Sequence, residues 1–253
     1  MGHVISISNQ KGGVGKTTTA INLSASIAAA EKDCLLIDCD PQGNATTGLG
    51  VDPATLDQGL YDVLIGEMPP EETITETLLP RLHLIGATGN QIGAEVEMAS
   101  IKSKEFRLRN ALTTLRQKYD YIFLDCPPSL GFLTVNALTA AESVLVPLQC
   151  EYYALEGLSQ LLTTTKAVKR GLNPVLRPAR ILLTMHDSRN NLSRQVEDEA
   201  RALFKERVFK TVIPRNVRLS EAPSYGKPII LYDIGSKGAQ SYLALARELI
   251  GRE

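Results

Sequence analysis

The chain has 253 residues, 43% apolar and 22% charged, with a net charge of −1. That balance fits a folded protein with a sizeable core and excludes a disordered chain or a broadly basic one, so any nucleic-acid binding must come from a local patch. No apolar run approaches the ~20 residues that span a bilayer, and the four cysteines, Cys34, Cys39, Cys126 and Cys150, have no CxxC or zinc spacing and read as small core thiols in a reducing cytosol.

In chain order, short apolar runs alternate with longer helical stretches. The pattern predicts a strand over 4–8, a helix over 16–30, strands over 34–37 and 82–85, a helix over 104–118, a strand over 121–124, a helix over 130–141, a strand over 143–147, a helix over 154–170, a strand over 180–183, a helix over 192–207, a strand over 211–213 and a helix over 239–251. The first strand begins almost at once, so no secretory leader is expected. Continuous apolar strands alternating with helices predict an α/β fold, a doubly wound and mostly parallel sheet flanked by helices. Residues 52–80, richer in Pro, Glu and Thr, read as short helices and surface loop. No boundary is visible, and residues 1–253 are expected to form one domain.

The most informative segment is Gln10-Lys11-Gly12-Gly13-Val14-Gly15-Lys16-Thr17-Thr18, which follows the first strand and opens the first helix. Glycines in that position let backbone N–H groups wrap phosphate oxygens, and the helix start adds partial positive charge. This is a P-loop for ATP and Mg²⁺. Lys16 is expected on the β- and γ-phosphates, Thr17 on Mg²⁺ and Thr18 near the α-phosphate. Two features depart from the standard pattern: Gln10 replaces the first Gly, and an extra lysine, Lys11, precedes Gly12. Loop geometry leaves two readings of Lys11, a solvent-facing lysine or one that reaches the γ-phosphate of a facing subunit, as an arginine finger does.

Two further segments put carboxylates beside this loop. Asp38 and Asp40 follow one apolar strand and Asp125 follows another, at the carboxyl ends where open α/β sheets bind ligands. Asp125 reads as the Walker B carboxylate that holds Mg²⁺ through water, and Asp40 as the residue that positions and polarises the attacking water. Asp38 reads as a support for the metal–water network.

Lys11-Gly12-Gly13-Val14-Gly15-Lys16-Thr17, Asp38-Cys39-Asp40-Pro41-Gln42-Gly43-Asn44 and Asp125-Cys126-Pro127-Pro128-Ser129 together resemble the ParA/MinD group of deviant Walker A ATPases, members of the SIMIBI-like P-loop NTPases. The likeness continues through residues 149–157, 183–185 and 213–228 and is nearest to the chromosomal ParA type called Soj. The resemblance implies a weak intrinsic ATPase whose MgATP form is a homodimer with both nucleotides at the interface. It assigns Lys11 to the partner's phosphates, Gly12 to the close approach of subunits, Asp40 to hydrolysis, and Pro214 and Asn216 to the adenine. It further implies non-specific binding of double-stranded DNA by the dimer, release by a ParB-type centromere-binding protein, and a cytoplasmic, nucleoid-associated location without a membrane partner.

The residues between 166 and 218 carry 13 Lys/Arg against 5 Asp/Glu, so the remainder of the chain is net acidic. Such segregation suits a phosphate-binding face. Arg189, Lys210, Arg215 and Arg218 are the favoured DNA contacts, with Lys205, Arg207 and Lys227 behind them. The principal rival is a MinD-like membrane-cycling ATPase, which needs a basic amphipathic helix after the core; the final predicted helix reads instead as core-packed. An ATP-dependent ligase or a cluster-bearing reductase is the other rival, and neither has its own motif here.

Overall fold

The computed structural model describes residues 1–88, 98, 101–151 and 154–251. Seven strands are present: β1 His3–Ile7, β2 Cys34–Asp38, β3 Ile74–Glu76, β4 Leu82–Ile85, β5 Tyr121–Asp125, β6 Ser143–Gln149 and β7 Arg180–Thr184. They form one sheet in the order β3-β4-β2-β5-β1-β6-β7. All pairings are parallel except β3 with β4. The connection from β1 leads toward β2 at one edge, and that from β6 leads toward β7 at the other. The crevice at the carboxyl ends of the central strands is therefore the topological switch point.

Alternate residues of each strand serve opposite layers, as the pleat requires. In β5, Ile122 and Leu124 join Leu112, Ala137 and Leu158 on one face. Tyr121 and Phe123 join Leu23, Tyr242 and Leu245 on the other. Burial on both faces explains why these strands read as unbroken apolar runs. The first helix, α1 (Lys16–Ala28), packs against the final one, Lys237–Ile250. The Thr19 and Tyr242 hydroxyls meet at 3.1 Å between them. The last helix thus spends its apolar face on the core, as its sequence suggested. The four cysteines are free and buried.

Two expectations change. The edge strand β3 was not foreseen, because three residues carry too little pattern to stand out from a loop. Residues 211–213 run beside β7 without forming a regular strand. Phe209 N donates to Ile181 O and Ile213 N to Leu183 O, each at 2.9 Å. Between them, side chains replace the ladder. Glu248 accepts from Lys210 N and Thr211 N, both at 2.8 Å. Arg201 donates to Phe209 O at 3.1 Å and Lys210 O at 3.4 Å. This segment leads straight into Pro214, so its anchoring fixes one wall of the site below. Replacing Glu248 by Ala strands two amides, and we expect a stability loss of about 1–3 kcal/mol with faster amide exchange at Lys210 and Thr211 but not within β7. Denaturant melts and residue-resolved hydrogen exchange would test this.

Candidate nucleotide site

The loop between β1 and α1 is held at both ends. Asn9 Nδ2 donates to Pro147 O at 2.7 Å, and its Oδ1 accepts from Lys11 N at 3.0 Å. Thr184 Oγ1, at the carboxyl end of β7, donates to Val14 O at 2.8 Å. Gly13 and Gly15 sit at φ 73° and 89°, a conformation that disfavours any side chain, and Gly15 starts α1. Lys16 is buried, and its Nζ donates to Lys11 O at 3.0 Å. Burial lowers its pKa, while Asp125, Cys126 and Asp40 oppose that shift.

Asp38 and Asp125 are register partners on β2 and β5, and both are completely buried. Their situations differ. Asp38 accepts from Asp40 N at 3.2 Å, Thr46 N at 2.8 Å and Thr46 Oγ1 at 2.7 Å. Desolvation nevertheless raises its pKa to about 6. Neither Asp125 oxygen has a hydrogen bond of ordinary geometry. Desolvation and then the Asp38 charge push its pKa up, with the neighbouring Thr17 hydroxyl and Lys16 acting in the other direction. A buried carboxylate without partners, next to a hydroxyl, is a donor set suited to a hard cation such as Mg²⁺. Asp38, expected from the sequence to support the metal–water network beside Thr17 and Asp125, is differently placed. Its oxygens are committed to the loop that carries Asp40, which gives it a place behind the site.

Two clefts meet here. The first, of about 330 Å³, is lined by Gly12, Gly13, Lys16, Thr17 and Asp40 among others. The second, of about 430 Å³, lies under Ile213, Pro214, Arg215 and Asn216. Gly15, Thr18 and Met185 line both, so the two clefts are continuous. Asn216 Oδ1 caps the short helix Val217–Glu221 through Arg218 N at 2.9 Å. Asp40 keeps its place through Oδ1, which accepts from Gln42 N at 3.0 Å.

In the single chain Lys11 is half-exposed and held by a carboxylate. Its Nζ lies 3.2 Å from Glu151 Oε2, a half-exposed ion pair. Glu151, Thr184 and Met185 escaped assignment as site residues. Thr184 ends a parallel strand and Met185 directly follows it, and that position was the signal available for them. Tyr152 and Tyr153, within the family-like stretch 149–157, lie outside the described residues.

The basic candidates separate. Arg215 lines the second cleft, and its charge reaches Asp187 beside Arg189. Arg189 is 89% exposed and pairs with Asp187 at 3.1 Å. Arg218 pairs with Glu221 at 2.8 Å. Lys210 lies further down the β7 edge, after the residue bound to Ile181.

A helix-opening loop with left-handed glycines, a buried lysine on one side and an unpartnered carboxylate on the other, is built to receive a polyphosphate and its cation. The molecule is a P-loop nucleotide-binding protein. A family model described as an AAA domain matches residues 2–178. The chain is 59% identical to the chromosome partitioning protein ParA of Myxococcus xanthus (strain DK1622), over 100% of this chain and 89% of the other. It is 56% identical to the sporulation initiation inhibitor protein Soj of Bacillus subtilis (strain 168), over 98% of each. Among solved structures, cobyrinic acid a,c-diamide synthase from Mycobacterium smegmatis with bound ADP and magnesium has a TM-score of 0.87 at 36% identity, covering 99% of this chain and 94% of that one. The Pyrococcus furiosus cell division ATPase MinD has a TM-score of 0.82 at 27% identity, covering 100% of both. The chain belongs to the ParA/Soj family of P-loop ATPases.

The buried charge yields a test. A carboxylate with a raised folded pKa holds its proton more tightly in the folded chain than in the unfolded one, so its destabilising effect grows as pH rises from the unfolded value past the folded one. Asp125→Asn is therefore expected to stabilise the nucleotide-free protein by about 1–3 kcal/mol at neutral pH and by less near about pH 5, while weakening Mg²⁺-dependent nucleotide binding. Thermal melts at the two pH values and nucleotide titrations with and without Mg²⁺ would check both effects.

Proposed function

We propose that this chain is a DNA-partitioning ATPase whose MgATP form is a homodimer that binds double-stranded DNA without sequence preference and is released when a ParB-type centromere-binding protein stimulates hydrolysis. The observation that carries the reading is Gly12. It lines the mouth of the phosphate cleft, its φ lies outside the left-handed range, and a Cβ built there meets nothing within 4 Å. Among the described residues nothing meets a Cβ at that position, and its φ does not call for a glycine. A second subunit pressed against this mouth would demand one.

In this reading the Lys16 ammonium leaves Lys11 O for the β- and γ-phosphates, and Thr18 supports the α-phosphate. Thr17 and Asp125 hold Mg²⁺, which when bound neutralises phosphate charge. Asp38 acts from behind by fixing the Asp40 loop, and Asp40 orients the attacking water. Pro214 packs on the adenine, and Asn216, its Oδ1 already used as a cap, offers its amide to the base. Lys11 exchanges Glu151 for the partner's triphosphate. Intrinsic turnover is weak because that lysine is engaged elsewhere until a second copy arrives.

Pairing also supplies the DNA switch. Arg189, Arg215 and Arg218 lie beside the adenine cleft, with Lys210 as an outlying contact. Exposed ion pairs such as those of Arg189 and Arg218 are worth little, so these cations can trade carboxylates for phosphates. Doubling the patch multiplies the phosphate contacts, which makes binding cooperative with dimerisation and steeply salt-dependent. The site of action is the cytoplasm, at the nucleoid. Among the described residues no helix is long and apolar enough to cross a membrane.

With ATP, Asp40→Ala is expected to accumulate as a dimer on DNA, and Lys16→Ala to remain a monomer off it. Size exclusion and DNA binding would read both, and a monomeric Asp40→Ala protein at saturating ATP overturns the switch. Gly12→Val makes a separate demand. We expect it to fold and bind ATP like the parent yet fail to dimerise, because a Cβ added there meets no described atom of its own chain within 4 Å. Loss of ATP affinity in the isolated subunit would count against the interface reading.

A further inference from the structure

The basic excess of residues 166–218 does not gather on one face. Lys166, Lys169, Arg177 and Arg207 line a separate cleft of about 430 Å³. It lies between the helix Ala154–Gly171, the turn entering β7 and the end of the helix Asn191–Phe204. Ala179, part of its lining, immediately precedes β7, so the cleft opens at the amino end of that strand. The nucleotide clefts lie at the opposite, carboxyl ends.

Its composition is specific. Leu176 and Ala179 are buried in its floor, Phe204 forms a wall, and among the described residues no acidic side chain belongs to the lining. Two cations are held in place at the rim. Lys169 Nζ donates to Leu176 O at 2.7 Å, and the Arg207 guanidinium lies 5.2 Å from the centre of the Phe204 ring. Val175 and Leu203, chain neighbours of lining residues, are 74% and 58% exposed. An apolar floor rimmed by lining charge of one sign is the composition of an interaction groove.

We propose that this cleft docks an acidic amphipathic segment of a protein partner, with an apolar side chain seated on the floor and flanking carboxylates paired to Lys166, Arg177 and Arg207. A DNA backbone has no use for the apolar floor, and Arg207 covers the Phe204 face on which a base would stack. A bilayer surface is matched by a projecting apolar face, whereas this feature is concave. Docking here leaves the ATP cleft untouched, so the site works independently of the proposed nucleotide cycle.

The test uses the full chain and a library of random peptides displayed on phage, with counter-selection against a Lys166→Glu/Arg177→Glu double variant and a milder Lys166→Gln/Arg177→Gln variant as a folding control. The expected selection is rich in aspartate and glutamate around a large apolar residue. A synthetic peptide from it should bind the parent at least about tenfold more tightly than the double variant, with ATP turnover and DNA affinity unchanged between the two proteins. Peptides that are not acidic, or none sensitive to the double variant, would overturn the proposal. So would loss of DNA affinity in the double variant, which places the cleft in a nucleic-acid face. Vesicles containing phosphatidylglycerol that bind the parent and not the variant, where no peptide does, would overturn it in favour of a lipid surface.

Discussion

Two carboxylates stand side by side at the carboxyl ends of β2 and β5, and the protein satisfies one of them. Asp38 is saturated by Thr46 and the Asp40 amide. Asp125 has no hydrogen bond of ordinary geometry, and its neighbours are a second acid and a lysine whose own charge is disfavoured by burial. Such a set is expensive to keep in a dry interior. It is tolerated where a ligand completes it, and the arrangement around it is fitted to that completion. Loop, helix start and lysine face the same cleft, and Thr17 bridges the loop to the carboxylate. The nucleotide is thus part of the electrostatic balance of the site, and its presence bears on the stability of the domain as well as on its activity.

The same incompleteness extends outward. Lys11 occupies a place at the loop's start where, in the proposed reading, Lys16 serves its own phosphate pocket, and Glu151 holds it in the isolated chain. An ion pair this exposed holds its lysine loosely, so a triphosphate from a facing subunit competes well against a single carboxylate. Arg189 and Arg218 are restrained in the same manner, by Asp187 and Glu221. Cations parked on weak local partners are available when a denser phosphate array appears. One physical device therefore serves two proposed steps, pairing of subunits and capture of DNA.

How much of this the sequence discloses depends on the range of the interaction. The P-loop is local: spacing of Gly13, Gly15, Lys16 and Thr17 determines the turn and the helix start, and all four lie where the sequence puts them. The buried strands are nearly as legible, because burial on both faces leaves a plain apolar run. Residues 211–213 mislead for the same reason. Their apolar pattern is real, but whether a ladder forms was decided by Arg201 and Glu248, side chains on distant helices. The commitment of Asp38 to Thr46 was hidden too, since strand ends announce carboxylates without saying which neighbour claims them. The basic excess of residues 166–218 was countable in the sequence. Its division between the two ends of β7 was not, because adjacent segments of chain reach opposite ends of the sheet.

The comparisons divide along the same line. A synthase that bears the name of a small-molecule transformation shares the backbone of this chain almost end to end at 36% identity. A protein named for chromosome partitioning reaches 59%. The fold and the phosphate cleft are common property, so they do not choose between these functions. The choice rests on what surrounds the cleft. A ligase needs a pocket for a second substrate beside the phosphates; the cleft continuous with the phosphate cleft under Pro214 and Asn216 is, in the proposed reading, taken by the base. A glycine at the mouth whose Cβ would meet no described atom, and a lysine that the proposed reading gives no work on its own nucleotide, would be idle in such a ligase. Both acquire a use when another subunit closes the opening, and it is that geometry, rather than the shared fold, that favours the partitioning cycle.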